Sequence, residues 1–352
     1  MKRILITGGA GFVGSNLALH LRAVLDPAIE IIALDNLHRR GSELNVARLE
    51  DAGVRFLRGD VRDPASLPSG RFDLLVECSA EPSVMAGSDG AVDYLFDTNL
   101  VGLYHCLERC RRDGAGLVFL STSRVYPIAA LEAHPWRETE TRFEWLETGA
   151  AIGPSGVREA LAMDGARSLY GTTKLAGEML VEEYRAAFGL RAVVDRCGVI
   201  AGPWQFGKVD QGVVSLWAMA HVFGRTLRYV GYGGEGKQVR DVLHVDDLAL
   251  LVADQVANLE AWDGFVGNVS GGASHAASLC ELTALCREHA GRAIEIGRIA
   301  ETRPNDLRIY VGDCARLISR TEWRPRRGVA EIVADTVRWV RDHRRQLEAL
   351  GA

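Results

Sequence analysis

The stretch I-L-I-T-G-G-A-G-F-V-G, Ile4 to Gly14, decides the fold. Its apolar opening, Ile4 to Thr7, reads as a buried strand, and its glycines read as the turn into a helix from Gly14 to Val24. Glycines at positions 8, 11 and 14 permit a tight turn, close approach of the backbone to a pyrophosphate and close helix-on-sheet packing. The helix that follows points its unpaired N–H groups and positive dipole end at the same place. About 20 residues further on, Asp35 ends the next apolar run, where a carboxylate accepts hydrogen bonds from ribose hydroxyls and repels a 2′-phosphate. That favours NAD over NADP, although Arg39 and Arg40 in the next loop pull the other way.

Outward from this core the pattern repeats. Ile29 to Asp35, Arg55 to Arg58, Leu74 to Cys78, Leu117 to Ser121 and Arg191 to Arg196 have the length and composition of strands. Helix-period segments lie between them at Leu44 to Asp51, Asp97 to Asp113 and Leu175 to Phe188. The alternation predicts an α/β fold: a Rossmann-like, doubly wound parallel sheet with a smaller, partly interleaved α/β substrate domain. The expected division is 1–197 plus 237–262 for the NAD-binding domain, and 198–236 plus 263–352 for the sugar-nucleotide-binding domain.

Bulk properties narrow the class. With 352 residues, 47% of them hydrophobic, the chain can bury a sizeable core. A net charge of -5 carries no basic field for nucleic acid. The cysteines number 7, an odd count without any C-x-x-C pair, which fits reduced thiols rather than disulfides or zinc, and no metal is expected. The chain opens M-K-R-I-L-I-T-G with no apolar leader and has no run long enough to span a bilayer, so the expectation is a cytoplasmic protein without membrane partners.

A second motif is Y-G-T-T-K, Tyr170 to Lys174. By itself such spacing only puts two side chains on one helix face. It gains meaning from L-V-F-L-S-T-S-R-V-Y, Leu117 to Tyr126, which sets hydroxyl side chains at a strand's carboxyl end, the edge where open α/β sheets bind ligands. Removing hydride from a carbinol requires a base for the hydroxyl proton. A free phenol, with a pKa of about 10, is too weakly acidic to serve, and a neighbouring lysine lowers it. Tyr170 is the expected base, Lys174 its electrostatic partner, and Thr122 a hydrogen-bond donor to the reacting oxygen. His20, His105, His221, His244, Trp217 and Trp339 read as packing or scaffold residues.

Together these features resemble the extended short-chain dehydrogenase/reductase family, the NAD-dependent sugar-nucleotide epimerases and dehydratases, over nearly the whole chain. Further landmarks are Asp60-Val61, Ser79-Ala80, Asn99, R-C-G-V-I-A-G-P from Arg196 to Pro203, and R-D-V-L-H-V-D-D from Arg240 to Asp247. The resemblance implies cofactor contacts at Gly8, Gly11, Phe12, Val13, Gly14, Asp35, Asn36, Arg39, Gly41, Ser42, Asp60, Val61, Ser79, Ala80, Glu81, Asn99, Tyr170 and Lys174. For the nucleotide-sugar substrate it implies Ser123, Arg124, Gln205, Gln211, Arg240 and Arg303, with Arg240 gripping the diphosphate. It also implies a homodimer through the helix around Leu95 to Arg111 and the Tyr170/Lys174 helix.

Within that family the segments Asp35–Gly41, Glu138–Arg142, Trp204–Gly212 and Gly236–His244 are similar to those of the CDP-paratose 2-epimerases. Cys78–Val84, Leu146–Arg167 and Pro127 depart from the group. The implied activity is inversion at C2 of a CDP-sugar through a transient keto intermediate. A 4,6-dehydratase is disfavoured, because Thr122 is followed by Ser123 and Arg124 rather than by the carboxylate pair that elimination of water requires. C4 epimerisation, one-way ketone reduction and decarboxylation of a hexuronate sugar, with Arg124 meeting its carboxylate, stay open. A reading from another class is an NAD-sensing binding protein that has lost catalysis, but Thr122, Tyr170 and Lys174 are all in place.

Overall fold

The computed structural model describes residues 1–87, 90–146, 149–207 and 211–351. Of the segments singled out in the sequence, Lys208 to Asp210 within Trp204–Gly212 and two positions within Leu146–Arg167 lie outside the described residues. Seven strands form one parallel sheet: β1 (Arg3–Thr7), β2 (Glu30–Asp35), β3 (Arg55–Arg58), β4 (Leu74–Glu77), β5 (Gly116–Thr122), β6 (Ala192–Cys197) and β7 (Val266–Val269). Their order is β7-β6-β5-β4-β1-β2-β3, so the strand order reverses between β1 and β4. Ile4 pairs with Ile31 on one side and Leu74 on the other, which centres the glycine turn on that reversal.

The expected strands and helices form, with differences at their ends. Helix α1 is Phe12–Val24, α2 is Leu44–Asp51, α3 is Gly102–Asp113 and α4 is Leu169–Phe188. Helix α4 starts six residues before the expected Leu175, because Tyr170, Gly171, Thr173 and Lys174 are buried and extend its packed face. The expected helix from Asp97 to Asp113 is not uniform: Asp97–Val101 is a π-helical turn leading into α3, a widening often found at functional positions.

Contacts divide the chain into two units, Met1–Val125 with Leu169–Arg196 and Leu248–Gly267, and Tyr126–Ser168 with Cys197–Asp247 and Asn268–Ala352. Residues 126–168 and 237–247 thus fall in the second unit, where the sequence rhythm assigns them to the first. The physical reason lies in their partners: the backbone N–H of Val157 donates to the Val311 carbonyl, and Val239 pairs with Ile309 and Ser278.

The first unit's core is the apolar run of each strand closed by helices. Leu5, Ile32, Leu75, Leu117 and Phe119 from the sheet pack with Leu103, Cys106 and Leu107 of α3 and Val181 of α4. Gly177 on α4 permits this approach, since a Cβ there would lie 2.7 Å from Leu103. In the second unit the helices Val213–Phe223, Leu279–Ala290 and Val329–Asp342 enclose Trp217, Val222, Leu282, Ile332, Val337 and Trp339. The strand Val239–His244 pairs parallel with Val199–Ala201 and Ile309–Tyr310 and antiparallel with Ala276–Ser278. Among the described residues no helix is long and apolar enough to cross a membrane, and no group of side chains has the makings of a metal site.

One buried polar pair in the first unit has a pH signature. Gln255 Nε2 donates to Asp195 Oδ1 at 2.9 Å, while Asp195 Oδ2 and Gln255 Oε1 find no partner, and both residues are fully buried. A proton on Oδ2 turns that partnerless acceptor into a donor. Burial pushes the Asp195 carboxyl up to about 7. Because this folded value exceeds the unfolded one, at about 3.9, the folded chain binds more protons and its stability falls as pH rises between the two. Asp195→Asn keeps the bond from Gln255 Nε2 to Oδ1 without titrating. Its Tm should gain on the wild type as pH is raised from 4 to 8; a difference that does not change with pH would refute protonation of Asp195.

Candidate active site

The glycine turn is built where side chains have no room. Gly8 has φ +61° and lies against the Cys78 carbonyl, and a Cβ on Gly14 would fall 2.2 Å from the Gly8 carbonyl oxygen. Gly11 is the N-cap of α1, with no side chain capping it, so the amides of Phe12, Val13 and Gly14 have no acceptor within the helix. Asp35 stands beside this turn: Oδ2 accepts from the Ala10 N–H at 3.1 Å and Oδ1 from the Leu37 N–H at 2.7 Å. Burial raises its pKa from the ordinary value, opposed by those backbone N–H groups. Asn36 donates to Asp60 at 3.0 Å, and Asp60 is held at about 2, chiefly by its hydrogen bonds with Arg62. Ser42 is buried and donates to the Arg39 carbonyl at 2.6 Å, and Gly41 N–H bonds Glu43, so the loop after β2 is held by its own residues. Asn45, which the motifs do not single out, ties α2 to the turn by donating to the Ala10 carbonyl at 2.8 Å.

Across the strand-order reversal, the loop after β4 carries Ser79, Ala80 and Glu81. Asn99, in the π turn, accepts from the Glu81 N–H at 2.8 Å and donates to the Glu81 carbonyl and to Thr173 Oγ1. It therefore clamps this loop to α4. Val61 is buried beneath Gly102 at the start of α3, and its carbonyl meets His105 Nδ1 at 2.8 Å. These residues fit a dinucleotide: an all-glycine cradle that a Cβ would fill, an open helix N-terminus, and a carboxylate beside it.

The residues expected to handle protons lie in the same unit. Tyr170, Lys174 and Glu178 are successive turns on the buried face of α4. Thr122 ends β5; its Oγ1 accepts from the Arg124 N–H at 3.2 Å, and Ser123 and Arg124 sit in the short 3-10 turn Ser123–Val125. Lys174 Nζ donates to the Leu120 carbonyl at 2.9 Å and to Glu77 Oε2 at 3.4 Å, with its charge 4.6 Å from the Phe119 ring centre. Burial works to lower the lysine's pKa, but the Glu77 charge, Tyr170 and the Glu77 hydrogen bond outweigh it and leave the value above the ordinary one. One turn on, Glu178 accepts from Ser121 at 2.5 Å and from Arg196 Nη2 at 2.7 Å. Neither Glu77 nor Glu178 is singled out by the motifs. The available signal is a carboxylate at the end of the apolar run L-L-V-E-C and another one turn past Lys174 on a buried face.

The remaining substrate candidates belong to the second unit. Gln205 donates to the Ile200 carbonyl and accepts from Ser215, each at 2.9 Å, so its amide braces the loop before Val213–Phe223. Arg240 Nη2 meets Asp306 Oδ1 at 2.9 Å and the Leu307 carbonyl at 2.7 Å, and its Nη1 the Val239 carbonyl at 2.7 Å. The acid opposite Arg240 is Asp306 and not the adjacent Asp241, whose buried carboxylate accepts the N–H groups of Gly272 and Gly312. The Asp306 N–H donates to the Arg303 carbonyl, and the Asp306 side chain pairs with Arg240; Gln211 is half-buried just before the helix Val213–Phe223. His244 belongs to the scaffold, with Nδ1 accepting the Asp246 N–H at 3.0 Å, and Asp247 holds Arg326 and Arg327.

A profile of the NAD dependent epimerase/dehydratase family matches residues 4–261. The CDP-paratose 2-epimerase of Salmonella typhi is 29% identical over 350 residues, spanning 96% of this chain and 98% of its own length. The dTDP-glucose 4,6-dehydratase of Streptomyces antibioticus is 31% identical over 355 residues, spanning 99% and 95%. Among solved structures, the UDP-glucose 4-epimerase of Thermus thermophilus in complex with NAD matches with a TM-score of 0.74 and 29% identity, over 96% of this chain and 99% of that one.

The glycine cradle makes a sharp demand on sequence. Gly14→Ala should open the turn, lower affinity for the dinucleotide by about 100-fold or more and leave the purified variant without it. The measurement is the nucleotide released on denaturation, per chain. A full complement in Gly14→Ala would remove the cradle from the site.

Proposed function

This chain belongs to the NAD-dependent epimerase/dehydratase family, and from that premise we propose that it inverts C2 of a CDP-sugar by oxidation to a keto sugar and reduction on the opposite face. The observation that carries a redox reading is the Tyr170–Lys174 pair on the buried face of α4, a helix that packs on β5, the strand that Thr122 ends. The working cofactor is NAD, supported by Asp35 at the end of β2 beside the glycine cradle. Held by the glycine cradle and Asp35, NAD would supply a reversible hydride acceptor for the sugar carbon.

Each residue has a distinct task. Tyr170 accepts the hydroxyl proton as the ketone forms and returns a proton at the end of the cycle. Lys174, charged and buried, stabilises the phenolate. Thr122 Oγ1 donates to the reacting oxygen as its charge changes. Arg240 and Arg303 hold the nucleotide diphosphate, with Asp306 orienting Arg240. A carbon that bears a hydroxyl has no acidic hydrogen, so a redox route is the accessible one for its inversion.

Position C2 and the CDP group are supported by the segments Glu138–Arg142, Trp204–Gly212 and Gly236–His244 and by the 29% identity to the Salmonella typhi 2-epimerase. Inversion at C4 is the second reading, favoured by the 29% identity to the Thermus thermophilus 4-epimerase. Dehydration is disfavoured because the turn after Thr122 carries Ser123 and Arg124, with no carboxylate to act on the leaving water. A homodimer is part of the proposal: Met179 and Phe188 on α4 are 64% and 56% exposed, and Tyr104 on α3 is 46% exposed.

Two experiments test this reading. Incubation with CDP-, UDP-, GDP- and dTDP-sugars, followed by NMR, should show inversion at C2 of a CDP-sugar. Deuterium placed at C2 should stay at C2 in ordinary water, and Tyr170→Phe should lower kcat by about 10²–10⁴-fold while binding persists. Inversion only at C4 would overturn the position, loss of the label would overturn hydride return, and a fully active Tyr170→Phe would overturn the base. For the dimer, light scattering should give twice the chain mass, falling to one on Met179→Asp; a wild-type monomer would retire that part.

A further inference from the structure

The Glu77 carboxylate has no role in the chemistry described above, yet it is placed where few carboxylates are found. It closes β4 in the run L-L-V-E, pairs in register with Phe119 of β5, and its side chain is 3% exposed. The partner it faces, Lys174, is equally enclosed at 3%. An ammonium has three protons to donate. One goes to the Leu120 carbonyl at 2.9 Å and one to Glu77 Oε2 at 3.4 Å, which leaves the third for the side of the site where Tyr170 lies.

We propose that Glu77 is a positioning residue of the redox site: it holds the Lys174 ammonium, charged, against the carboxyl end of β5. This rests on the reading of Tyr170 and Lys174 as the proton-handling pair. The surroundings leave the task to Glu77. The other titratable groups facing the ammonium are Tyr170 from α4, the Cys78 thiol at the end of β4, and the Cys106 thiol on α3; the remaining neighbours are the Phe119 ring and a backbone carbonyl. Both thiols are pushed up by burial and stay neutral. Glu178, the next carboxylate on α4, is already bidentate with Arg196 and bonded to Ser121. Without the Glu77 charge, desolvation of Lys174 has no carboxylate to oppose it, and a buried lysine then releases its proton at a lower pH. A neutral lysine no longer favours the Tyr170 phenolate. Glu77 also fixes direction: the ammonium is drawn toward β4 and β5, so Lys174 enters the site from the sheet side of α4.

The sign of the test follows from proton linkage. In the wild type the folded pKa of Lys174 lies above the ordinary value, so between pH 7.5 and 10 the lysine carries its proton folded and unfolded alike, and adds no slope. In Glu77→Gln the folded value falls below the unfolded one. The unfolded chain then binds more protons and stability rises with pH. Thermal unfolding of the NAD-free full chain should therefore show Glu77→Gln about 10 °C below wild type near pH 7.5, with the gap closing toward pH 10. In a Lys174→Met background the sign inverts: Glu77→Gln raises Tm, because it removes an unpaired buried carboxylate. Kinetically, with the sugar nucleotide turned over in the panel above, kcat of Glu77→Gln should fall on the alkaline side at least one pH unit before that of the wild type. Should Glu77→Gln yield no folded protein, the folded Glu77→Gln/Lys174→Met double variant carries the same inference; failure of both makes Glu77 a packing residue and overturns it. A pH-independent Tm gap, or a kcat profile merely scaled down, also overturns it. Full activity in Tyr170→Phe and Lys174→Ala would instead retire the catalytic reading and leave the thermal result standing.

Discussion

The site depends on keeping a charged lysine inside a protein interior. Taking an ammonium out of water is costly by several kcal/mol unless close partners replace its hydration. Lys174 meets that requirement with the Glu77 carboxylate, the Leu120 carbonyl and the Phe119 ring face. These come from two adjacent strands, so the lysine is satisfied only when α4 lies in one register on β4 and β5. The buried Glu178–Arg196 pair one turn on, reaching β5 and β6, imposes the same register from the other direction. Two ion pairs spaced one helical turn apart act as a ruler, and the position of Tyr170 at the head of the helix is what the ruler measures out.

The glycine turn answers the opposite problem. In the proposed function charge arrives here with the ligand, and the chain contributes oriented N–H groups and the absence of side chains. Both halves of the site converge on the reversal between β1 and β4. The loop after β4 links them, because Asn99 accepts from and donates to the backbone of Glu81 and also donates to Thr173 of α4. A shift of α4 is thereby felt in the loop next to the cradle.

Much of the fold was legible in the chain because local rules and tertiary demands agree. Arg55–Arg58 and Leu44–Asp51 fall where period and length put them, and Gly8, Gly9 and Gly14 of the first turn are required by backbone contacts of under 3 Å. The start of α4 was not legible. Periodicity alone begins it at Leu175, since the preceding turn is polar by composition and is buried only by tertiary contact. The π turn before α3 likewise leaves no trace in hydrophobic spacing. Of the site, Tyr170, Lys174 and the glycines carry motifs; Glu77, Glu178, Asn45 and Asp306 do not, because their roles are set by partners 18 to 97 positions away in sequence, or by a single turn of loop. Tertiary partners likewise override sequence order in residues 126–168: they lie between β5 and α4 in the chain, yet group with the second unit and bond to Lys237, Asn268, Val311 and Asp313.

That interleaving bears on how the polypeptide is made. The two units are assembled from six alternating segments, and the first is complete only when Leu248–Gly267 has been added. During synthesis β1 to β5 emerge first and can pair, but the sheet edge beside β5 stays open until β6 arrives some 70 positions later. Until then an unpaired parallel edge and the apolar face meant for α4 are presented to the cell, the kind of surface that invites wrong partners. The ring closures that join the pieces are long, so folding is governed by contacts distant in sequence rather than by local ones. The nascent chain is therefore expected to depend on chaperones, or on slow translation, through the interval between Thr122 and Ala192.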